Sequence, residues 1–176
     1  ESVIPLTGIA EKPKSIQRTR AFPEFSQNKD YIMTELEMHL HNVCKKLREN
    51  NLKTSVLYVM LRTKDFRVIV REEKLNFKTD SELILIKYVK KLFEDMYDKN
   101  IIYRSSGVFA GLLNAENQGQ LNLFNVEGND NRERNLSVIM DKIENKFGKG
   151  ILSLGSTGIK TVQEKHSRKT RLRNFK

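Results

Sequence analysis

The feature that most restricts the fold of this chain is the order in which two hydrophobic periods alternate along it. Two stretches place apolar residues three and four apart, as an amphipathic helix does, and four stretches alternate apolar and polar residues, as a half-buried strand does. The stretches follow one another as strand 14–22, helix 28–50, strand 56–63, strand 66–75, helix 79–98 and strand 101–113.

This β-α-β-β-α-β order predicts an α+β fold, in which two helices cover one face of a four-stranded antiparallel sheet. We expect the other face to lie in solvent and to carry rows of polar and basic side chains. Asn28 is the expected N-cap of the first helix, and Thr79 or Asp80 that of the second. A third helical pattern over 132–147, followed by glycines and a strand-like run at 151–154, predicts a smaller C-terminal helix–strand unit.

Pattern and composition divide the chain into five parts. Few apolar residues and much like charge near the C-terminus predict a tail that is disordered unless a partner binds it. Because the chain begins at Glu1 and enters a linker at once, we expect a piece of a larger protein. The parts are a linker at 1–13, a sheet-and-helix domain at 14–114, a polar linker at 115–131, the helix–strand unit at 132–159 and a basic tail at 160–176.

The charge of the chain favours a polyanionic partner. Lys and Arg number 32 against 22 Asp and Glu, which gives a net charge of +10. Nucleic acid is the leading candidate for such a partner. No apolar run is long enough to span a bilayer and no N-terminal signal segment is present, so neither a membrane protein nor an intact secretory precursor is indicated. The cytoplasm is the expected compartment.

No constellation of residues in the sequence predicts catalysis or metal binding. His39 and His41 are two residues apart, which points them to different sides of a helix, and His166 stands alone in the tail. All three are expected at the surface. Cys44 has no cysteine to pair with and lies on the apolar side of the first helix, so we expect a buried structural thiol. The acidic residues expected on solvated helix faces are Glu35, Glu37, Glu94 and Asp95.

One short apolar peptide stands apart from these elements, because turn-forming polar residues surround it on both sides. It reads Gln120-Leu121-Asn122-Leu123-Phe124. An exposed peptide of this kind costs solubility unless a partner covers it. In an extended conformation it can place Leu121, Leu123 and Phe124 into apolar pockets while the amide of Gln120 adds an orienting hydrogen bond. We therefore expect it to bind a partner, although an ordinary buried strand is the commoner origin of such a pentapeptide.

This pentapeptide resembles the motif by which bacterial replication and repair proteins bind the sliding clamp. With the β-α-β-β-α-β order, it makes the chain similar to the C-terminal part of a Y-family translesion DNA polymerase, closest to the UmuC branch of the ImpB/MucB/SamB type. The stretches that carry the likeness are Lys14-Ser15-Ile16 leading to Arg20-Ala21-Phe22, Arg62 to Arg71 with Asp65-Phe66-Arg67, Tyr103 to Gly107, Gln120 to Phe124, and Gly148-Lys149-Gly150 to Gly158.

The resemblance implies that 14–114 is a little-finger domain, which grips double-stranded template–primer DNA, and that 115–131 is a clamp-binding linker. It further implies a bacterial, nucleoid-associated protein of the SOS response. Other SOS or replication proteins are further candidate partners. The carboxylates that hold Mg²⁺ in such enzymes would lie upstream, so no cofactor is expected here and this piece should not polymerise by itself. The expected DNA contacts are Ser15, Arg18, Arg20, Arg62, Arg67, Arg71, Arg104 and Ser105.

Two other classes of function stay open. The same strand and helix order describes RNA-recognition modules, which stack the bases of a single strand on exposed aromatic residues. Tyr58 and Phe66 are the aromatics available for that role, but the glycine–aromatic signature of those modules is missing. A self-contained nuclease is the third class, and no carboxylate or histidine constellation supports it.

Overall fold

The computed structural model describes residues 13–115 and 127–148, and these residues form the predicted α+β architecture. Most ends of the elements lie close to the predicted bounds. The larger differences are that β1 and β3 end later than predicted, α2 ends earlier, and β2 and α3 start earlier. The elements are β1 (Ile16–Ser26), α1 (Lys29–Glu49), β2 (Leu52–Thr63), β3 (Val68–Thr79), α2 (Glu82–Glu94), β4 (Tyr103–Gly111), β5 (Asn114–Ala115) and α3 (Glu127–Phe147).

The sheet has the strand order β1-β4-β2-β3, and every pair of neighbours is antiparallel. The hairpin of β2 and β3 is as predicted, and β4 lies between the first two strands of the chain. The sequence did not predict β5, whose two residues pair with the start of β2, Leu52 opposite Ala115. Such a short strand has too few residues to show an alternating pattern.

The ends of the helices follow local hydrogen bonding. The side chain of Asn28 accepts a hydrogen bond from the backbone N–H of Tyr31 at 2.9 Å, which confirms it as the N-cap of α1. The prediction for α2 was wrong, because Ser81 occupies the N-cap position and makes no capping bond with its side chain. The hydroxyl of Thr79 instead accepts a hydrogen bond from the backbone N–H of Ser81 at 3.0 Å.

The hydrophobic core lies between the two helices and one face of the sheet. α1 packs over β1 and β4, and α2 packs over β2 and β3. Burying a large apolar side chain contributes about 1.5–3 kcal/mol, so this layer supplies the main driving force for folding. Cys44 is buried within it, as expected. Other fully buried side chains are Ile32, Leu36, Leu40 and Leu47 of α1, Leu85 and Val89 of α2, and Leu57, Val59, Leu61, Tyr103 and Val108 of the sheet.

Helix α3 is held to the domain by charged groups. Arg48 of α1 donates to both carboxylate oxygens of Asp141, at 2.6 and 2.9 Å, and Lys45 contacts Glu144 at 2.6 Å. Three apolar side chains of α3 remain exposed, namely Leu136, Ile139 and Phe147. The predicted strand at 151–154 and the basic tail lie outside the described residues. Among the described helices, none is long and apolar enough to cross a membrane.

Gly107 of β4 provides a test of the sheet packing. A Cβ atom at this position would come well inside van der Waals contact with Cγ2 of Thr19, its partner on β1. We predict that Gly107→Ala lowers the free energy of unfolding by about 1–3 kcal/mol, measured by urea denaturation, because the added methyl group overpacks the strand pair.

Two variants control this experiment. Gly111→Ala should cost less, because the nearest atom to its Cβ would be a ring carbon of Tyr58, at 3.2 Å. Thr19→Ala should recover part of the loss in the double variant, since it removes the opposing methyl group. Equal losses for the two glycines, with no recovery, would contradict the β1–β4 register.

Candidate nucleic-acid interface

The register of the strands determines which side of the sheet each residue occupies, because residues directly opposite one another in an antiparallel pair point to the same side. Val59 of β2 lies opposite Val108 of β4, and both are fully buried beneath the helices. This side is called the helix side. Arg62 of β2 lies opposite Ser105 of β4, three residues along, and therefore belongs to the other side, called the open face.

The open face is not the basic platform that the sequence predicts. Its central positions are Tyr58 and Met60 of β2 and Phe109 of β4, all half-buried, and Val70 of β3 is exposed beside them. Arg62 is the arginine that the open face carries on β2. Side chains of a central strand touch neighbours on both flanks, so apolar residues there remain partly covered even without a helix above them.

Three of the expected DNA contacts lie on the helix side of the sheet. The prediction that they share the open face with the other arginines is therefore wrong. Arg18 and Arg20 of β1 lie opposite Val108 and Ser106, and Arg71 of β3 lies opposite Val59. β1 and β3 are the outer strands of the sheet, so these arginines line its two edges. Alternation along a strand shows that Arg18 and Arg20 share a side, which is confirmed, but it does not show which side.

A different group of side chains comes together at the end of the open face where β2 meets β3. The Cζ atom of Arg104 lies 3.9 Å from the ring centroid of Phe66 and 5.7 Å from that of Phe25. Arg62 approaches the ring of Phe66 as well, at 5.5 Å. We call Phe25, Arg62, Phe66 and Arg104 the hairpin-end patch. Ser105, the partner of Arg62 on β4, lies next to it and is buried.

The guanidinium groups of the hairpin-end patch are not neutralised by the protein within the described residues. Neither Arg62 nor Arg104 forms an ion pair with a carboxylate there, and the buried Nε of Arg62 has no hydrogen-bond partner. Arg67, in the adjoining turn, differs because it contacts Asp65 at 2.7 Å. Ser15 lies far from this patch, at the start of β1. It directly precedes Ile16, which pairs with Ala110 of β4.

The turn between β2 and β3 holds Phe66 in an unusual conformation. Its φ is 69°, in the left-handed region that bulky residues rarely adopt. Two hydrogen bonds close the turn, from the N–H of Phe66 to the carbonyl of Thr63 at 3.1 Å and from the N–H of Thr63 to the carbonyl of Arg67 at 2.9 Å. Such a conformation costs about 1–3 kcal/mol and persists only where the surroundings impose it. The turn thereby brings the ring of Phe66 onto the two guanidinium groups.

Sequence reasoning did not identify Phe25 as a site residue, and it placed Phe66 on a strand. Phe25 is 50% exposed and Phe66 60% exposed. A polar turn of Lys64 and Asp65 before Phe66 is the signal that could have located the ring at a hairpin tip. The meeting of Phe25 with Arg104 depends on the pairing of β1 with β4, which no local pattern reveals.

Several polar residues of α1 are buried, contrary to expectation. Glu35, Glu37 and His39 lie beneath the surface, whereas Glu94 and Asp95 are exposed as predicted. Glu37 contacts Lys90 of α2 at 3.5 Å. Burial, followed by the charges of Arg18 and Arg20, lowers the pKa of His39 from 6.5 to about 4. His39 is therefore neutral at physiological pH.

His41 is half-buried rather than a free surface residue, and it lies near two carboxylates of α3. Ligand atoms of His41, Asp141 and Glu144 fall within 4.8 Å of one another, a grouping that the sequence did not predict. The carboxylates already bind Arg48 and Lys45, whose positive charges disfavour a metal ion. A hydrogen bond with Glu82 raises the pKa of His41. These groups form an ionic contact between helices. His166 lies outside the described residues.

The peptide predicted to bind the sliding clamp, Gln120, Leu121, Leu123 and Phe124, lies outside the described residues. It falls between β5, which ends at Ala115, and α3, which begins at Glu127. The segment therefore connects the sheet domain to the helix that docks on α1. Its binding role stays a prediction.

Known proteins resemble most of this chain, including the sheet domain. A sequence profile described as the impB/mucB/samB family C-terminal domain matches residues 13–123. A DNA polymerase IV of Bacillus cereus is 24% identical over 158 residues, which are 89% of this chain and 38% of that protein. A DNA polymerase IV of Clostridium acetobutylicum is 30% identical over 111 residues, 63% of this chain and 28% of that protein.

The fold also matches a solved structure. The insertion ternary complex of Dbh DNA polymerase superposes with a TM-score of 0.50 and 17% identity, over 55% of this chain and 28% of that one. This likeness supports the α+β fold. The chain spans roughly a third of the length of the curated relatives it matches, 38% in one case and 28% in the other.

The placement of Arg18 on the helix side predicts its effect on His39. We expect Arg18→Gln to raise the pKa of His39 above its value of about 4, measured by NMR titration of the imidazole protons, because one repelling charge is removed. The stability of the fold should also respond. In the wild type the unfolded chain binds a proton near pH 6.5 and the folded chain only near pH 4, so stability falls as the pH drops through that window. The Arg18→Gln variant should lose less stability over the same pH range, because its folded and unfolded pKa values differ less.

Arg62→Gln is the matched control for this titration. It removes the same charge from the open face and should leave the pKa of His39 unchanged. If Arg62→Gln shifts His39 and Arg18→Gln does not, the assignment of the two sides of the sheet is wrong.

Proposed function

The chain belongs to the impB/mucB/samB family as its C-terminal domain, and on this premise we propose that it is the C-terminal region of an error-prone translesion DNA polymerase. In this proposal the sheet domain grips the backbone of template–primer duplex and the peptide at 120–124 tethers the polymerase to a bacterial sliding clamp. The relatives named DNA polymerase IV support the polymerase assignment. In this proposal the catalytic groups, and the Mg²⁺ that they would hold, are supplied by a part of the polymerase other than this chain.

The observation that carries the duplex grip is the pair of guanidinium groups without a carboxylate partner at the hairpin-end patch. Arg62 and Arg104 can each donate two hydrogen bonds to phosphate oxygens, a geometry that guanidinium groups favour. The hydroxyl of Ser105 and backbone N–H groups can add uncharged contacts. Phosphate contacts of this kind hold a duplex without reading its sequence, which suits an enzyme that copies any template.

The remaining basic residues contribute at the margins of this surface. Arg18 and Arg20 line one edge of the sheet and Arg71 the other, where they raise the positive potential on either side of the open face. Arg67 extends the hairpin tip, although Asp65 offsets its charge. Ser15 is proposed as a contact at the opposite end of β1. Release of counterions from phosphates then makes the affinity fall as the salt concentration rises.

Clamp binding complements the weak grip on DNA. A clamp that encircles DNA raises the local concentration of the polymerase at the primer end without any further DNA contact. Leu121, Leu123 and Phe124 supply the apolar anchors, and Gln120 supplies an oriented amide. The peptide follows the sheet domain by only a few residues, which keeps the two binding sites close enough to act together.

The branch of the polymerase family, the cellular role and the cellular location are also part of the proposal. The glycines at 148–150 after the helix, together with the clamp-type peptide, support a UmuC-like branch and a role in SOS damage tolerance, whereas the relatives carry the name DNA polymerase IV. A protein with these partners would act in the bacterial cytoplasm, associated with the nucleoid.

Charge reversal at the hairpin-end patch tests the duplex grip. We predict that Arg62→Glu with Arg104→Glu lowers the affinity for a blunt duplex by roughly tenfold or more, measured by fluorescence anisotropy at low salt. The slope of log affinity against log salt should fall by about 2, since two phosphate contacts are lost.

The same reversals on the helix side, Arg18→Glu with Arg71→Glu, provide the control at equal net charge. These should weaken binding less, because they alter only the long-range potential. If both pairs weaken binding to the same extent, the grip is diffuse and the hairpin-end patch is not its centre.

The clamp peptide is tested by removing its anchors. We predict that Leu123→Ala with Phe124→Ala abolishes binding to a bacterial sliding clamp in calorimetric titration, because the two side chains that fill apolar pockets are lost. Duplex affinity should be unchanged. Leu136→Ala with Phe147→Ala removes an exposed leucine and phenylalanine from α3 and should preserve clamp binding. Clamp binding that survives the first pair and is lost with the second would assign the contact to α3 instead.

A further inference from the structure

We propose that the hairpin-end patch binds an unpaired nucleotide of single-stranded DNA by stacking its base on Phe66 and Phe25. This inference extends the proposed function, because an unpaired template strand continues from every template–primer duplex. The duplex grip requires only the guanidinium groups of Arg62 and Arg104. The aromatic rings are the additional feature that calls for a ligand with a flat, apolar face.

The exposure of the rings is the first observation in favour of this site. Phe66 is 60% exposed and Phe25 50% exposed, although each is a large apolar ring whose exposure to water is costly. The turn holds Phe66 there with a φ of 69°, a conformation that the backbone avoids without external constraint. The chain therefore keeps an aromatic ring at the surface of the turn.

The arrangement of charges around the rings identifies the class of ligand. The guanidinium of Arg104 lies near both rings, 3.9 Å from the centroid of Phe66 and 5.7 Å from that of Phe25, and Arg62 approaches Phe66 from β2. A ligand that contacts both the rings and the guanidinium groups needs a flat π-surface and an anionic group a few ångströms from it. A nucleotide meets both requirements, with its base on the ring and its phosphate on the guanidinium.

Single-stranded DNA fits this site better than a duplex. Bases in a duplex are stacked on one another and present only their edges, so a duplex can offer phosphates but no free base face. An unpaired strand exposes the faces of its bases, which stack on aromatic side chains without regard to sequence. The neighbouring Val68 and Val70, both exposed on β3, extend the apolar surface along the same face.

Fluorescence quenching provides a direct readout, because the natural chain contains no tryptophan. In the Phe66→Trp variant the indole becomes the single tryptophan reporter, and we expect a short oligo(dT) to quench its emission by stacking. A blunt hairpin duplex should quench it much less. Phe147→Trp is the control, since Phe147 is 59% exposed and has Lys146 5.2 Å from its ring. Quenching of both variants alike, or of neither, would overturn the stacking site.

Affinity measurements separate this inference from the proposed function. Phe66→Leu keeps an apolar side chain but loses the π-surface, and it should weaken oligo(dT) binding about tenfold while blunt-duplex affinity stays constant. Phe147→Leu should change neither. If Phe66→Leu weakens duplex and oligo(dT) equally, the ring supports the fold of the patch and does not stack on a base. Failure of the wild type to bind blunt duplex would refute the duplex grip and leave the oligo(dT) result standing.

Discussion

The pairing of β4 with β1 on one side and β2 on the other determines which side chains lie on the open face. Val59 opposite Val108 places one set of side chains under the helices, and Arg62 opposite Ser105 places the next set on the free side. Because side chains alternate with a period of two, a slip of one residue would exchange the sets and bury charges in the core. Burial of the valines therefore fixes the position of Arg62 and Ser105, although those residues contribute little to the core themselves.

Much of the fold was predictable from sequence because its signals are local. Periodicity predicted the two helices and four main strands, and the Asn28 cap follows from side-chain chemistry at one position. The sides occupied by the arginines were not predictable in this way. Arg18 and Arg71 each sit on an alternating strand, and alternation alone leaves two equivalent choices until the partner strand is known. The burial of His39 on α1 also escaped prediction, because it depends on how α1 packs against the sheet, which the sequence pattern of α1 does not contain.

If the domain grips DNA as proposed, its contacts are few. Rows of arginines along a whole face would bind phosphate strongly, whereas the two guanidinium groups of the proposed site would hold DNA weakly. A weak grip permits movement along the template, and tethering through the peptide at 120–124 would supply the residence time that the grip lacks. The ionic docking of α3 through Arg48 and Lys45 keeps the chain that follows the peptide beside α1.

The location of bound DNA is best determined by backbone amide chemical shifts recorded while a template–primer duplex with an unpaired template end is added. The changes should concentrate at Arg62, Phe66, Arg104 and their neighbours, with smaller effects along the edge strands. Changes that concentrate on α1 or α3, with the hairpin end unaffected, would show that DNA binds the helical side of the domain and that the open face has another purpose.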